Sequence, residues 1–282
     1  GYLPFTLDLT ANGVQAGDSC LLAVFTDNSD DKSYPPGKRQ YTLDFAYHGG
    51  IYRDVWMIAK SPVAITDAID SRTVGGGGVF VHFDKISEKS AQVYVETEIQ
   101  NDNTRSESVT IETTLTDAEG NVIKRTSGKL SLNSGEKKSI RQQMEVRNPK
   151  LWSPDAPYLY RVQSRIKKGN RSIDGGTTRI GIRLAEFRGK EGFWLNGKPY
   201  GKPLMGANRH QDFAVVGNAV ANSIHWRDAK KLKDLGLEVI RNAHCPQDPA
   251  FMDACDELGL FVIVNTPGWQ FWNNEPIFAK RV

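Results

Sequence analysis

The sequence predicts a multidomain β plus α/β protein: one β-sandwich, the tail of another before it, and the opening units of a parallel sheet after it. Two observations predict this. Between residues 59 and 184 short apolar/polar alternations recur, separated by turn-forming residues. From 185 onward the rhythm changes to strand, helix, strand, helix, strand.

Residues 1–58 are strand-like at Leu21–Phe25 and Tyr41–Phe45, on either side of a loop holding Asp30, Asp31, Pro35, Pro36 and Gly37. Two or three strands cannot bury a core alone. The stretch therefore reads as the C-terminal part of a sandwich whose first strands precede Gly1.

Within 59–184, Gln92–Ile99 and Val109–Leu115 alternate as half-buried strands do, with turn chemistry at Asn101–Thr104 between them. Asp117–Gly120 is a second turn, and a strand from Val122 follows it. Lys137–Val146, Tyr158–Ile166 and Thr177–Arg183 complete the set. About seven short strands at this spacing indicate an antiparallel, immunoglobulin-like sandwich. The Gly75–Gly78 run precedes a strand, not a helix, and so reads as a loop and not a phosphate cradle.

After 185, Pro203–Asn208 is a short apolar strand. Trp226–Leu235 places Ala229, Leu232 and Leu235 on one helical face, and Gly236 ends that helix. Leu237–Arg241 is the next strand. Asp248 followed by Pro249 is an N-cap with proline at the first helical position. Phe251, Met252, Cys255 and Leu258 make the buried stripe, Gly259 ends the helix, and Leu260–Val264 is the third strand. Such alternation implies parallel pairing, which opens either a doubly wound sheet or a (β/α)₈ barrel.

In both architectures chemistry gathers at the C-terminal strand ends. The first strand runs into Asn208, Arg209, His210, Gln211 and Asp212, the second into Arg241, Asn242, Ala243, His244, Cys245 and Pro246, and the third into Asn265–Trp272. Two histidines, two arginines and an aspartate would converge at one mouth, with Trp269 and Trp272 as an aromatic edge. Polar groups that fix hydroxyls, beside aromatic faces, suit a carbohydrate. A histidine or tryptophan taken singly would read as structural. The coincidence at three successive strand ends favours a site.

Composition narrows the partners. With 36 basic and 33 acidic residues the net charge is only +3, too balanced for nucleic acid or an anionic membrane. No apolar run approaches the ~20 residues of a membrane span; no n-region and h-region open the chain, and Gly1–Phe5 reads like the middle of a domain, so a signal segment is expected, if anywhere, before Gly1. Three cysteines, Cys20, Cys245 and Cys255, with no CxxC spacing, give neither a disulfide framework nor a zinc knuckle.

Several separated stretches resemble one family in order and spacing: Gly181-Ile-Arg-Leu-Ala-Glu-Phe187, Gly192-Phe-Trp-Leu-Asn-Gly-Lys-Pro199 and Gly206-Ala-Asn-Arg-His-Gln-Asp212, then Arg227–Gly236, Ile240-Arg241, His244-Cys-Pro246 and Cys255–Gly259. These resemble the opening of the barrel in glycoside hydrolase family 2, the β-galactosidases, β-glucuronidases and β-mannosidases, and the pattern is nearest the β-galactosidases. Upstream, Gly50–Val55 resembles the last strands of the family's jelly-roll sugar-binding sandwich, and Leu151–Tyr160 the end of its immunoglobulin-like domain. The resemblance implies three divisions: 1–58, the C-terminal part of the jelly roll; 59–184, the immunoglobulin-like sandwich; and 185–282, the first three β/α units of a TIM barrel, left incomplete.

It further implies a retaining exo-β-glycosidase acting on terminal β-linked sugars, with two catalytic glutamates about 5–5.5 Å apart. In the family both follow the third barrel strand, so the expectation is that no catalytic residue lies in this chain, that it belongs to a longer polypeptide, and that alone it is inactive. Glu275, in the tempting pair Asn274-Glu275, stands before any fourth strand and is rejected as the acid/base. What remains is substrate-binding: His210 and His244 resemble the histidines that bind sugar hydroxyls, Arg241 the arginine that holds the nucleophilic carboxylate ionised, and Asp44 a loop aspartate sent to the sugar. Asn208, Arg209 and Asp212 are expected to orient that pocket from behind.

Departures from the family's pattern, Asn265-Thr266, Cys245 and Gln211, bear on the substrate more than on the fold. No cofactor is expected beyond a cation in the full enzyme. The partner is a β-linked oligosaccharide or glycoside, homo-oligomerisation is allowed, and a glycan-degrading role slightly favours a periplasmic or secreted address. The rivals are a non-catalytic carbohydrate-binding scaffold, a metal hydrolase using His210 and His244, and a cysteine hydrolase built on Cys245 and His244. The metal reading lacks the usual His-x-His at strand one, and adjacent residues of a strand face opposite sides.

Overall fold

A computed structural model describes residues 2–266 and 272–281. It divides into two compact units, 57–203 and a second made of 1–56 with 204–282.

The first unit is the sandwich. Its strands are β1 (Val63–Ile65), β2 (Val79–Asp84), β3 (Ser90–Asn101), β4 (Glu107–Thr116), β5 (Val122–Leu132), β6 (Lys137–Arg147), β7 (Tyr160–Lys168) and β8 (Arg171–Ile180). One sheet pairs β3 with β1 and β2 along one edge and with β6 along the other; the second runs β5-β4-β7-β8. Every pairing is antiparallel. Alternation explains the layers: Ala91, Val93 and Val95 point inward from β3, while Gln92, Tyr94 and Glu96 stay at the surface side. The inward residues meet Leu115, Val162 and Ile180 of the opposite sheet, and a second cluster joins Ile99 to Ile111, Leu132 and Ile166. Asn101 is fully buried, and its amide nitrogen donates to the carbonyls of Arg105, Leu132 and Asn133, which ties two turns together.

The sequence foresaw the long strands and the strand that follows Gly75–Gly78, which is β2. It missed β1, which has only three residues. β8 starts at Arg171, six residues before the expected Thr177, because its hydrogen bonds to β7 carry it through Gly175-Gly176. Glycine weakens a strand signal but does not prevent pairing.

A three-stranded ribbon, β9 (Ala185–Phe187), β10 (Phe193–Leu195) and β11 (Lys198–Pro199), also belongs to this unit. The turn residue Asn196 secures it: its side-chain oxygen accepts from Leu184 N–H and its amide nitrogen donates to the Trp152 carbonyl. Trp152 is itself buried against Gly181, where an added Cβ would lie 2.8 Å from the indole. The boundary expected at 184/185 thus falls inside a compact unit.

In the second unit, β12 (Gly206–Arg209), β13 (Val239–Asn242) and β14 (Phe261–Ile263) form a parallel sheet in that order. Helix α1 (Asn222–Asp234) joins the first two strands, α2 (Pro249–Leu258) the next two, and α3 (Pro276–Arg281) follows. Asp248 caps α2 by accepting the Ala250 N–H at 2.8 Å, Pro249 opens it, and Gly259 ends it in the left-handed conformation at φ 76°. Ala229, Ile240, Phe251, Ala254, Cys255 and Leu260 form the layer between helices and sheet. Leu235 does not join this layer. It stands at the C-cap of α1 and is exposed, since the helix has already turned it outward, and His225 takes the buried position one turn in from the N-terminus instead.

In residues 2–58 the two expected strands are not formed. Among the described residues they hold only a 3₁₀ turn at Gln40–Thr42. A strand exists only through a hydrogen-bonded neighbour, and no described segment pairs with Leu21–Phe25 or Tyr41–Phe45. Leu21 and Phe25 are 96 % and 90 % exposed. Among the described residues, no helix is long and apolar enough to cross a membrane.

Candidate functional site

The site is built where the parallel sheet ends. In the β12–β13 ladder Asn208 lies beside Arg241 and Arg209 beside Asn242. Ile240 and Asn242 face the helices and are fully buried. Side chains alternate along a strand, so Arg241 faces the other way, into an open concavity of about 400 Å³ that Gly206, Asn208, Val239 and Ile263 also line.

His210 and His244 meet beyond the strand ends. Their ring centroids are 5.0 Å apart and the rings stand edge to face at 89°. Phe45 packs against both, with centroids 6.4 Å from His210 and 5.5 Å from His244. Arg241 reaches the same point: its Nη1 lies 3.2 Å from His244 Nδ1 and 3.4 Å from Asn208 Oδ1. A guanidinium can only donate, so Nδ1 must accept, and the His244 ring proton resides on Nε2. Partial burial holds the His244 pKa below its ordinary value, with the charges of His210 and Arg241 adding to the effect. The negative charge of Asp44 acts in the opposite direction. His244 is thus a neutral imidazole at neutral pH.

Of the residues singled out in the sequence, His210, His244, Arg241 and Asn208 come together, and Asp44 is next in sequence to Phe45, which packs on both histidines. Asn208 lies on the concave face beside Arg241, which is nearer the centre than the supporting place expected of it. Asp212 pairs with His48 at 3.2 Å at the margin. Arg209 does not converge with the others. Strand alternation turns it to the helix side, where it is 7 % exposed. There it pairs with Asp228 at 2.9 Å, donates to Gln247 Oε1 at 2.6 Å, approaches His225 Nδ1 at 3.0 Å and lies over the Phe251 ring. The expected pair of arginines at the mouth is therefore one arginine, Arg241.

Trp269 lies outside the described residues. Trp272 is exposed, its indole N–H donating to Asn274 Oδ1 at 3.1 Å and its ring 5.7 Å from Phe278. Glu275 sits at the start of α3, its N–H bound by Asn273. Phe45 and His48 were missed because nothing in a loop's spacing announces partners as distant in sequence as His210, His244 and Asp212; the only cue was their closeness to Asp44.

Cys245 is free, and burial pushes its thiol up to about 11. It is protonated at neutral pH and a poor nucleophile. Among the described residues no group of three or more His, Cys, Asp or Glu side chains could hold a metal ion.

Two family models match the chain one after the other, glycosyl hydrolases family 2 over residues 77–183 and the TIM barrel domain of the same family over 186–277. The chain belongs to glycosyl hydrolase family 2. The family 2 relatives match nearly all of it: a β-galactosidase from Thermoanaerobacter pseudethanolicus is 34 % identical over 276 residues, 98 % of this chain and 34 % of its own length. A β-glucuronidase from Formosa agariphila is 31 % identical over 272 residues, 94 % of this chain and 27 % of its own. Among solved structures, Bacteroides uniformis β-glucuronidase 2, covalently bound to cyclophellitol-6-carboxylate aziridine, superposes with a TM-score of 0.81 at 30 % identity over 91 % of this chain and 30 % of that one. The chain spans about a third of the length of these relatives, and the segment matched by the TIM barrel domain holds the ribbon strands β10 and β11 as well as β12–β14.

Proposed function

We propose that this chain is the sugar-positioning part of a retaining exo-β-glycosidase that removes terminal β-linked sugars, β-galactosidase-like in preference. The observation that carries the reading is the meeting of His210, His244 and Arg241 at the ends of parallel strands, with Arg241 also lining an open concavity. In this reading His210 and His244 bind sugar hydroxyls, and Arg241 holds the nucleophilic carboxylate ionised by a charge-assisted hydrogen bond. Asp44 receives a hydroxyl from the opposite side. Asn208 fixes the Arg241 guanidinium. The acid/base and the nucleophile are glutamates on further barrel strands, about 5–5.5 Å apart as retention requires. A neutral His244 suits this role, since it neither competes with Arg241 for the nucleophile nor repels it.

The names of the relatives divide between β-galactosidases and β-glucuronidases, so β-glucuronidase is the second reading and β-mannosidase the third. The test is hydrolysis of nitrophenyl β-galactoside, β-glucuronide and β-mannoside by the full-length protein. Preference for the galactoside supports the first reading, and preference for the glucuronide replaces it with the second. Turnover by residues 1–282 alone would overturn the assignment of the glutamates. No turnover of any β-glycoside by the full-length protein would overturn the function, leaving a carbohydrate-binding scaffold.

A further inference from the structure

The backbone ladder between β12 and β13 ends before the histidines begin. Its last pair is Arg209 with Asn242, followed by a single bond from Ala243 N–H to the Arg209 carbonyl at 2.9 Å. His210 and His244 stand one and two residues past that point, where no main-chain pairing fixes their separation. Side chains replace it. Arg209, immediately before His210, donates to Gln247 Oε1 at 2.6 Å. Gln211, immediately after His210, accepts the Asp248 N–H on its Oε1 at 2.7 Å. Gln247 and Asp248 lie three and four residues after His244. All four are at least nine-tenths buried, so water does not compete for these bonds.

We infer that Arg209–Gln247 and Gln211–Asp248 are the two rungs of a clamp that sets the distance between His210 and His244. Arg209, Gln211 and Gln247 are positioning residues: they act through the imidazoles and touch no sugar. The clamp is anchored behind the sheet, since Arg209 is also held by Asp228 and His225 of α1 and lies over Phe251 of α2, its guanidinium 4.1 Å from the ring centroid. Gln211 is held on its other side, donating to the Asn218 carbonyl at 3.1 Å. Both histidine loops therefore inherit their position from the helix layer. A displacement of an ångström at a binding group is enough to cost about a hundredfold in rate.

The catalytic half of the test rests on the glycosidase reading; the structural half does not. In the full-length protein, Gln247→Met removes the acceptor of Arg209, Gln247→Glu keeps an acceptor oxygen there, and Gln211→Ala removes the second rung. Hydrogen–deuterium exchange is followed in peptides covering 207–212 and 243–248, together with kcat and KM on the preferred nitrophenyl β-glycoside. The expected result is faster exchange confined to those two peptides in Gln247→Met and Gln211→Ala, kcat lowered tenfold or more with KM changed less than threefold, and recovery of both in Gln247→Glu. Wild-type exchange in both peptides in Gln211→Ala overturns the clamp, as does faster exchange with wild-type kcat. If Gln211→Ala does not fold, a Gln247→Glu protein no better than Gln247→Met overturns it. If the wild-type protein cleaves no β-glycoside, the functional reading fails while exchange still decides the clamp.

Discussion

His210→Ala separates a binding histidine from a structural one. The His210 side chain is exposed and stands beyond the sheet; its described neighbours are the Phe45 and His244 rings. Truncating an exposed side chain away from caps and the core changes stability by about 0.5 kcal/mol or less, so the melting temperature should move by about 2 °C or less. If the imidazole donates to a sugar hydroxyl on which transition-state charge develops, its loss should cost about 2.7–4 kcal/mol, a factor of about 10²–10³ in kcat. A second variant sharpens the reading. Because the two rings are in edge-to-face contact, His210→Ala and His244→Ala should be less than multiplicative when combined. The assay is kcat/KM on a nitrophenyl β-glycoside in the full-length protein, with thermal melts of each variant. A rate change below threefold, or a rate loss that only follows a lowered melting temperature, would refute the reasoning.

Arg241→Ala removes a cation that presses the His244 pKa down, so an NMR titration of His244 should show its pKa move up toward the ordinary 6.5, and an unchanged titration would show the contact to be unimportant. Two histidines in this unit, His225 and His244, have pKa values lowered by burial, helped by Arg209 at His225. Below 6.5 the unfolded chain binds protons there that the folded chain refuses, so stability should hold at neutral pH, begin to fall below about 6.5 and go on falling through the depressed folded values. Melting temperatures from pH 8 to pH 5 test this, and His225→Asn should flatten the decline if His225 carries it. Asp248→Ala should destabilise the α/β unit by about 1 kcal/mol through loss of the α2 cap, measured by urea unfolding, with no loss expected if the bond to Ala250 is weak. Gly181→Ala would place a methyl 2.8 Å from the Trp152 indole and should cost about 1–3 kcal/mol in the sandwich unit.

Legibility in the sequence followed the range of the interaction. α2 was legible almost to the residue because its signals are local: Asp248, Pro249 and Gly259 each act on the nearest turn. The long strands of the sandwich were legible because one buried face imposes period two on ten or more residues. The strands expected at Leu21–Phe25 and Tyr41–Phe45 do not form in this chain, for the complementary reason. Leu21–Phe25 and Tyr41–Phe45 have strand-forming composition, yet a strand is a relation between two segments, and composition describes only one of them. The ribbon of β9–β11 was placed with the barrel because its residues resemble the barrel's opening, and the family's TIM barrel match does begin at 186; the bonds from its turn residue Asn196 to Leu184 and Trp152 were not legible.

The cluster at the strand ends was legible in most of its members and less so in their directions. Asn208-Arg209-His210-Gln211 at a strand end announces polar chemistry, and a list of such residues suggests that all face one mouth. Period two forbids it: in a strand only alternate residues share a face. Asn208 on the concave side requires Arg209 on the helix side, and its partners there, Asp228 and Gln247, are 19 and 38 residues distant. A buried arginine must find a carboxylate or be expelled, so Asp228 on α1 was in principle inferable from α1's own pattern, since Asp228 lies three residues after the buried His225 and next to the buried Ala229. The two faces of this short strand end then do different work. One presents Asn208 with Arg241 to the concavity, and the other fastens the same backbone to the helices through the buried Arg209 and its ion pair with Asp228. That division explains why adjacent residues as alike in type as Asn208, Arg209 and His210 should respond differently to replacement.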